Sequence, residues 1–178
     1  MGWIRIVLSA ALAVLTAASA AHAEIRIGAA GPLTGTMAWF GEQHERGVAM
    51  AVAELNEAGG LLGQPIEVVS VDDYCDGEQG VAAARKLIAE GVVFVAGHLC
   101  SGATIPASAL YQEAGIVMIS PSSTNPKLTG QGFRNVFRVA GRDSEQARLA
   151  GDYLAERWGR RQDRDPSRRH DLWQGSRR

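Results

Sequence analysis

Apolar positions along this chain follow three different spacings. Residues 6–18 form an almost unbroken apolar run, interrupted by Ser9 and Thr16. From residue 24 onward, short runs of β character alternate with longer stretches in which apolar residues recur at helical spacing. Residues 24–30 alternate, with Ile25, Ile27 and Ala29 on one side. A glycine-rich turn follows at 31–35. The period over 41–58 then predicts a helix with Val48, Val52 and Leu55 on one face, ended by Gly59-Gly60. Residues 66–71 read as a second strand, and 78–90 as a second helix with Val81, Leu87 and Ile88 facing inward. Residues 92–96 are apolar on every side, as a strand covered on both faces of a parallel sheet should be. A third helix is expected over 103–114, with Pro106 tolerated in its first turn. Strands at 116–119 and 135–139 and a fourth helix over 144–158 complete the pattern.

Alternating strand and helix predict an α/β fold, a Rossmann-like parallel sheet with flanking helices. The loops after the first, third and fourth strands lie at carboxyl ends, the edge where open α/β sheets bind ligands. They span residues 31–41, 97–102 and 120–126. Ser101 stands where a helix begins, and there the free N–H groups and the helix dipole favour an anion such as a carboxylate. Ser122 and Thr124 can add donors from the neighbouring loop, and Trp39 and Phe40 can supply an apolar wall. Each residue also has a plainer reading, as a helix cap, a turn residue or packing beneath the first loop. The functional reading rests on three such loops meeting at one edge.

Composition narrows the setting. Arg5 and the amino terminus give the first apolar run a small positive flank, and Ala21-His22-Ala23 supplies the small-x-small pattern of a signal peptide cleaved before Glu24. The run is shorter than the ~20 residues a membrane-spanning helix needs. The rest of the 178-residue chain is long enough for one domain with its own core. Eighteen basic against nineteen acidic side chains leave a net charge of −1, with no overall bias toward nucleic acid. In an exported chain the pair Cys75 and Cys100 suggests a disulfide closing a loop of about 25 residues. The competing metal site, drawn from Asp72, Asp73, Cys75, His98 and Cys100, lacks the usual ligand spacing. A thiol nucleophile at Cys100 with His98 as base is possible only if the disulfide does not form. No G-x-S-x-G, P-loop or dinucleotide fingerprint occurs, so neither an enzyme nor a bound cofactor is expected.

The segments G-P-L-T-G-T-M-A-W-F-G, N-E-A-G-G-L-L-G, D-D-Y-C-D, V-A-G-H-L-C-S-G-A-T and M-I-S-P-S-S-T-N-P-K-L-T, in this order between residues 24 and 158, resemble the leucine/isoleucine/valine-binding family of periplasmic proteins that serve ABC transporters. The resemblance implies the first lobe of a type I periplasmic binding protein, a two-lobed, hinged fold that closes on a free amino acid. It implies a Cys75–Cys100 disulfide. It assigns hydroxyl contacts with the ligand's α-carboxylate to Ser101 and Thr124, and backbone contacts to Ser122 and Ser123. Phe40 matches an aromatic position that packs on the ligand, where the family often has Tyr or Trp. The implied function is capture of a branched-chain or related amino acid in the periplasm, by a monomer, for delivery to an inner-membrane permease. The implied partner for the ligand's ammonium group comes mostly from the second lobe. The same fold also serves ligand-sensing regulators and receptor domains for an amino acid or amide. An export signal without a membrane anchor favours transport.

Where the second lobe of that family would begin, this chain reads R-R-Q-D-R-D-P-S-R-R-H-D-L-W-Q-G-S-R-R. Residues 159–178 have no strand pattern, and seven arginines fall between Arg160 and Arg178. Read one nucleotide later, synonymous codons for this tail allow a strand followed by the family's His-Asp and Tyr-Gly loop, and Trp173-Gln174-Gly175 forces Gly followed by Lys or Arg. The alternatives are a natural basic tail, disordered or bound to an acidic partner, and a shift of reading frame near Arg160; the second is the expectation, with a missing second lobe, a disordered tail and impaired binding.

Overall fold

The computed structural model describes residues 24–159. The expected signal peptide and nearly all of the Arg-rich tail lie outside the described residues. The described chain runs through β1 (Ile25–Gly31), a 3-10 turn (Gly35–Met37), α1 (Ala38–Glu57), β2 (Ile66–Asp72), α2 (Gly77–Ala89), β3 (Phe94–Gly97), α3 (Ser101–Ala114), β4 (Val117–Ser120), the one-turn α4 (Lys127–Gly130), β5 (Val136–Arg138) and α5 (Asp143–Leu154), which ends in a π turn at Ala155–Gly159. The five strands pair in parallel in the order β2-β1-β3-β4-β5. Succession moves from β1 to β2 on one side and then to β3 on the other, so the order reverses between β1 and β3. Their carboxyl ends form the crevice where such sheets hold ligands.

One face of the sheet carries the core. Ala30, Val71, Val95, Met118 and Val136 from the strands pack against Ala83, Ala84 and Leu87 of α2, and Ala107 and Tyr111 of α3. The two helices lie close because Gly80 faces Ala103. A Cβ at Gly80 would come within 2.7 Å of the Ala103 carbonyl oxygen. The sequence pattern placed Val81 on the inward face of α2, but small residues, Gly80, Ala83 and Ala84, occupy it beside Leu87. Close helix–helix approach selects small side chains there. Asp76 caps α2, its Oδ1 accepting from the N–H groups of Glu78 and Gln79.

The other face is only partly covered. α1 packs on β1 and β2. Val52 is buried, but Leu55 is 47% exposed although it shares the helix face. Beyond α1, Val93, Val117 and Phe137 remain exposed. The expectation that residues 92–96 would be covered on both sides is thus met on one side only. α3 also begins two residues earlier than the sequence pattern indicated, with Cys100 as its N-cap. Pro106 therefore sits inside the helix rather than in its first turn, where its missing N–H costs a backbone hydrogen bond.

Candidate functional site

The loop after β1 folds back onto its own helix. Gly41 lies against the Pro32 carbonyl, and any Cβ there would collide with that oxygen. This approach brings Trp39 and Phe40 to the edge of the loop. Their rings are 5.4 Å apart; Trp39 is exposed and Phe40 is half-buried. Asp72, at the end of β2, fastens the same loop. It accepts from the Thr34 hydroxyl at 2.6 Å and from the Leu33 N–H at 2.9 Å. Burial works against the Asp72 charge, but hydrogen bonds from the Thr34 hydroxyl and the N–H groups of Leu33, Tyr74 and Thr34 hold its pKa below the ordinary 3.8.

Asp72 and Asp73 each accept from the N–H two residues ahead, at Tyr74 and Cys75. These turns support positive φ angles of 53° and 57° at Tyr74 and Cys75. The reversal presents Cys75 to Cys100, and the two form a disulfide with Cα atoms 5.2 Å apart. The expected pairing is therefore present, and the thiol-nucleophile alternative falls. Among the described residues no three His, Cys, Asp or Glu side chains are grouped to hold a metal ion. The two most metal-like of them, Asp73 and His98, are fully buried and bonded to each other through Asp73 Oδ2 and His98 Nδ1 at 2.7 Å.

The second and third loops meet as the sequence pattern indicated, and the serines divide into two roles. Ser101 is the first residue of α3 and half-buried. Its hydroxyl oxygen accepts from the Asn125 N–H at 3.3 Å, which joins the two loops. Thr124 is also half-buried. Its carbonyl accepts from Arg138 Nη1 at 2.9 Å and from the Asp143 N–H at 3.0 Å. No acceptor for either hydroxyl proton occurs among the described residues. The Ser122 hydroxyl, expected as a further donor, instead donates to the Leu99 carbonyl at 2.8 Å. Ser123, expected to present its backbone, is 1% exposed. Its N–H donates to Ser120 Oγ, and its hydroxyl reaches the Leu99 carbonyl and Thr104 Oγ1. These two side chains pin the third loop to the second, because two buried carbonyls there need donors.

Arg138 was not singled out by its sequence context. It donates to the carbonyls of Ser123, Thr124 and Asn125 from the end of β5. Its only sequence signal is an arginine at the carboxyl end of a strand. The site that results is an open ledge with donors on one wall. Two concavities of about 340 and 320 Å³ lie elsewhere, one beside β5 and the start of α5, the other between α1 and the strands. Arg138 and Arg142 line the first, where Arg138 Nη1 is turned to loop carbonyls and Nη2 is buried without a partner, and the second is lined by apolar side chains.

Comparison with known proteins gives the ledge its context. Residues 24–162 match the family described as periplasmic binding protein. An amino acid binding protein of Pseudomonas aeruginosa is 48% identical over 135 residues, which is 75% of this chain and 36% of that protein. A leucine-, isoleucine-, valine-, threonine- and alanine-binding protein of the same organism is 42% identical over 154 residues, or 86% of this chain and 41% of that protein. The chain thus spans about two fifths of the length of the curated relatives it matches. Among solved structures, a branched-chain amino acid transporter substrate-binding protein of Streptococcus pneumoniae in complex with isoleucine aligns with a TM-score of 0.70 at 34% identity. That alignment covers 75% of this chain and 38% of that one.

Proposed function

This chain belongs to the periplasmic binding protein family, and from that premise we propose that it supplies one wall of a cleft that captures a branched-chain or related amino acid outside the cytoplasm for an ABC importer. The supporting observation is the ledge at the strand-order reversal. There the N–H groups of Ser101 and Gly102 open α3 without a partner among the described residues, and the hydroxyl protons of Ser101 and Thr124 likewise have no acceptor among them. Together these suit a carboxylate, whose charge the helix N-terminus favours. Phe40 supplies the apolar surface for the side chain, and Ser122 adds a backbone contact, while Ser123 and Arg138 hold the third loop from beneath. The reading is one of binding rather than reaction, and the disulfide that holds the candidate thiol supports it.

An open ledge gives weak affinity, because water competes for every donor. Micromolar binding needs a second wall that excludes water and pairs with the ammonium group. The relatives have the additional length for such a wall, which would also form the closed surface an inner-membrane permease reads. We further propose that the protein is exported by a leader cleaved before Glu24 and, once a second wall covers its exposed apolar faces, works as a monomer.

A titration followed by backbone amide resonances tests the reading. L-Leucine, L-isoleucine and L-valine should shift the amides of Ser101, Gly102, Ala103 and Thr124 with weak affinity, and isoamylamine, which lacks the carboxylate, should not. Joining the chain to the second lobe of a relative should bring the affinity into the micromolar range. Equal shifts with isoamylamine, or none with any amino acid, would exclude a carboxylate site on this ledge.

A further inference from the structure

Beneath the ledge lies a polar chain that no ligand can touch. Asp73, His98 and Tyr111 are each fully buried. His98 Nδ1 is 2.7 Å from Asp73 Oδ2, and His98 Nε2 is 3.0 Å from the Tyr111 hydroxyl. We propose that Asp73, His98 and Tyr111 form a positioning relay that sets the backbone of residues 97–101, and through it the Ser101 hydroxyl and the first turn of α3, for the ligand's carboxylate. This role rests on the amino-acid reading of the ledge.

The relay reaches the loops after β1, β2, β3 and β4. Asp73 belongs to the loop after β2. Its N–H donates to the Gly31 carbonyl at the end of β1, and its Oδ1 holds the Cys75 N–H beside the disulfide. His98 begins the loop after β3. Its carbonyl accepts from Ser120 Oγ at 2.6 Å and from Ser123 Oγ at 3.4 Å, which tie in the loop after β4. Tyr111 lies on α3 ten residues beyond Ser101, about 15 Å along the helix axis. A contact that far down the helix fixes its rotation as well as its position. Ser101 is three residues from His98 and on the same helix as Tyr111, so its hydroxyl is held from both sides.

One proton arrangement satisfies all three groups. Neutral His98 donates from Nδ1 to the Asp73 carboxylate and accepts at Nε2 from the Tyr111 hydroxyl. With a doubly protonated ring, Nε2–H would point at the tyrosine oxygen, and the Tyr111 proton would lose its acceptor in a buried place. Burial, and with it the Asp73 carboxylate, raises the Tyr111 pKa and keeps that proton in place. The relay therefore has a fixed direction, Tyr111 to His98 to Asp73, and a fixed ring tautomer. Its members are bonded with no water between them, and a buried network of this kind specifies one geometry.

The test uses the whole 178-residue chain with L-leucine as the probe, read at the amides of Ser101 and Thr124. His98→Leu, which removes both hydrogen bonds, should weaken leucine about tenfold and displace the Ser101 and Gly102 resonances before any leucine is added. His98→Asn keeps an N–H toward Asp73 and should stay within about threefold of the unaltered chain. Tyr111→Phe keeps the ring and loses only the hydroxyl. It should weaken binding about threefold, and it carries the test should His98→Leu fail to fold. In the unaltered chain the ring nitrogens of His98 should show Nδ1 protonated and Nε2 bare. Equal leucine affinity in His98→Leu or in Tyr111→Phe, or the opposite tautomer, overturns the relay alone. If leucine leaves the unaltered chain's amides unmoved, the amino-acid reading fails and the positioning role fails with it.

Discussion

Ser101 receives one long hydrogen bond, 3.3 Å from the Asn125 N–H, and its own proton points to no acceptor among the described residues. A hydroxyl so placed is worth little to the fold and much to an anion. A hydrogen bond to a charged group contributes ~1.5 kcal/mol, about tenfold in affinity. Ser101→Ala should therefore weaken leucine about tenfold while leaving the melting temperature almost unchanged; an unchanged affinity in an amide-shift titration would remove Ser101 from the site. Asp72 should behave in the opposite way. Its folded pKa lies below 3.8, so the stability it adds is fully present above the unfolded value and is lost as pH falls through the folded one. Asp72→Asn should accordingly lower stability at pH 7, and the gap between the two proteins should close as pH drops below 3.8. Urea denaturation at both pH values reads this directly. A gap that persists in acid would mean that Asp72 acts through shape, not through charge.

Among the elements, the join between β2 and α2 is heavily fastened. Two Asx turns, a disulfide and the buried Asp73–His98 contact all bear on the five residues from Asp72 to Asp76. With 25 residues between the cysteines, the disulfide should contribute ~3 kcal/mol by restricting the unfolded chain. Reduction, or the paired change Cys75→Ser and Cys100→Ser, should lower the unfolding free energy by about that amount. A loss below ~1 kcal/mol would show that the reduced, unfolded chain keeps these segments together without the bond. The helices show the same division between local and tertiary causes. α2 starts where Asp76 caps it, a signal readable from sequence. α3 has no side-chain cap and starts at Ser101, because tertiary fastening of Cys100 fixes the turn that precedes it.

The whole molecule presents one finished face and one unfinished face. α2 and α3 complete the core on the first. On the second, α1 covers β1 and β2, and Val93, Val117 and Phe137 stay exposed beyond it. α5 adds a second apolar surface, with Leu149, Tyr153, Leu154 and Trp158 each more than half exposed. Exposed apolar surface of this kind favours association with another apolar surface. The chain by itself should bind an apolar fluorescent dye and elute from a sizing column at a volume that depends on concentration. Phe137→Ser combined with Val117→Ser should reduce both effects. Weak dye binding by the unaltered chain would show that these faces are already covered in solution.

The fold class was legible because a parallel α/β sheet leaves strong periodic marks. Each strand from Ile25–Gly31 to Val136–Arg138, and each helix of three turns or more, announced itself by apolar spacing. The disulfide and the meeting of the second and third loops were legible from the cysteine pair and from loops recurring at strand carboxyl ends. Sequence spacing could not say which serine keeps its hydroxyl proton unengaged and which serves the loop. Ser101, Ser122 and Ser123 are the same chemistry, and only the nearby carbonyls of His98 and Leu99 decide where each hydroxyl goes. Nor could spacing link Asp73 to His98, 25 residues on, or His98 to Tyr111, 13 residues on, which meet only when β2, β3 and α3 are packed. Periodicity records which face of an element is buried, a local property of the chain. Hydrogen-bond partners across loops depend on the relative placement of whole elements, and that placement exists only in the folded molecule.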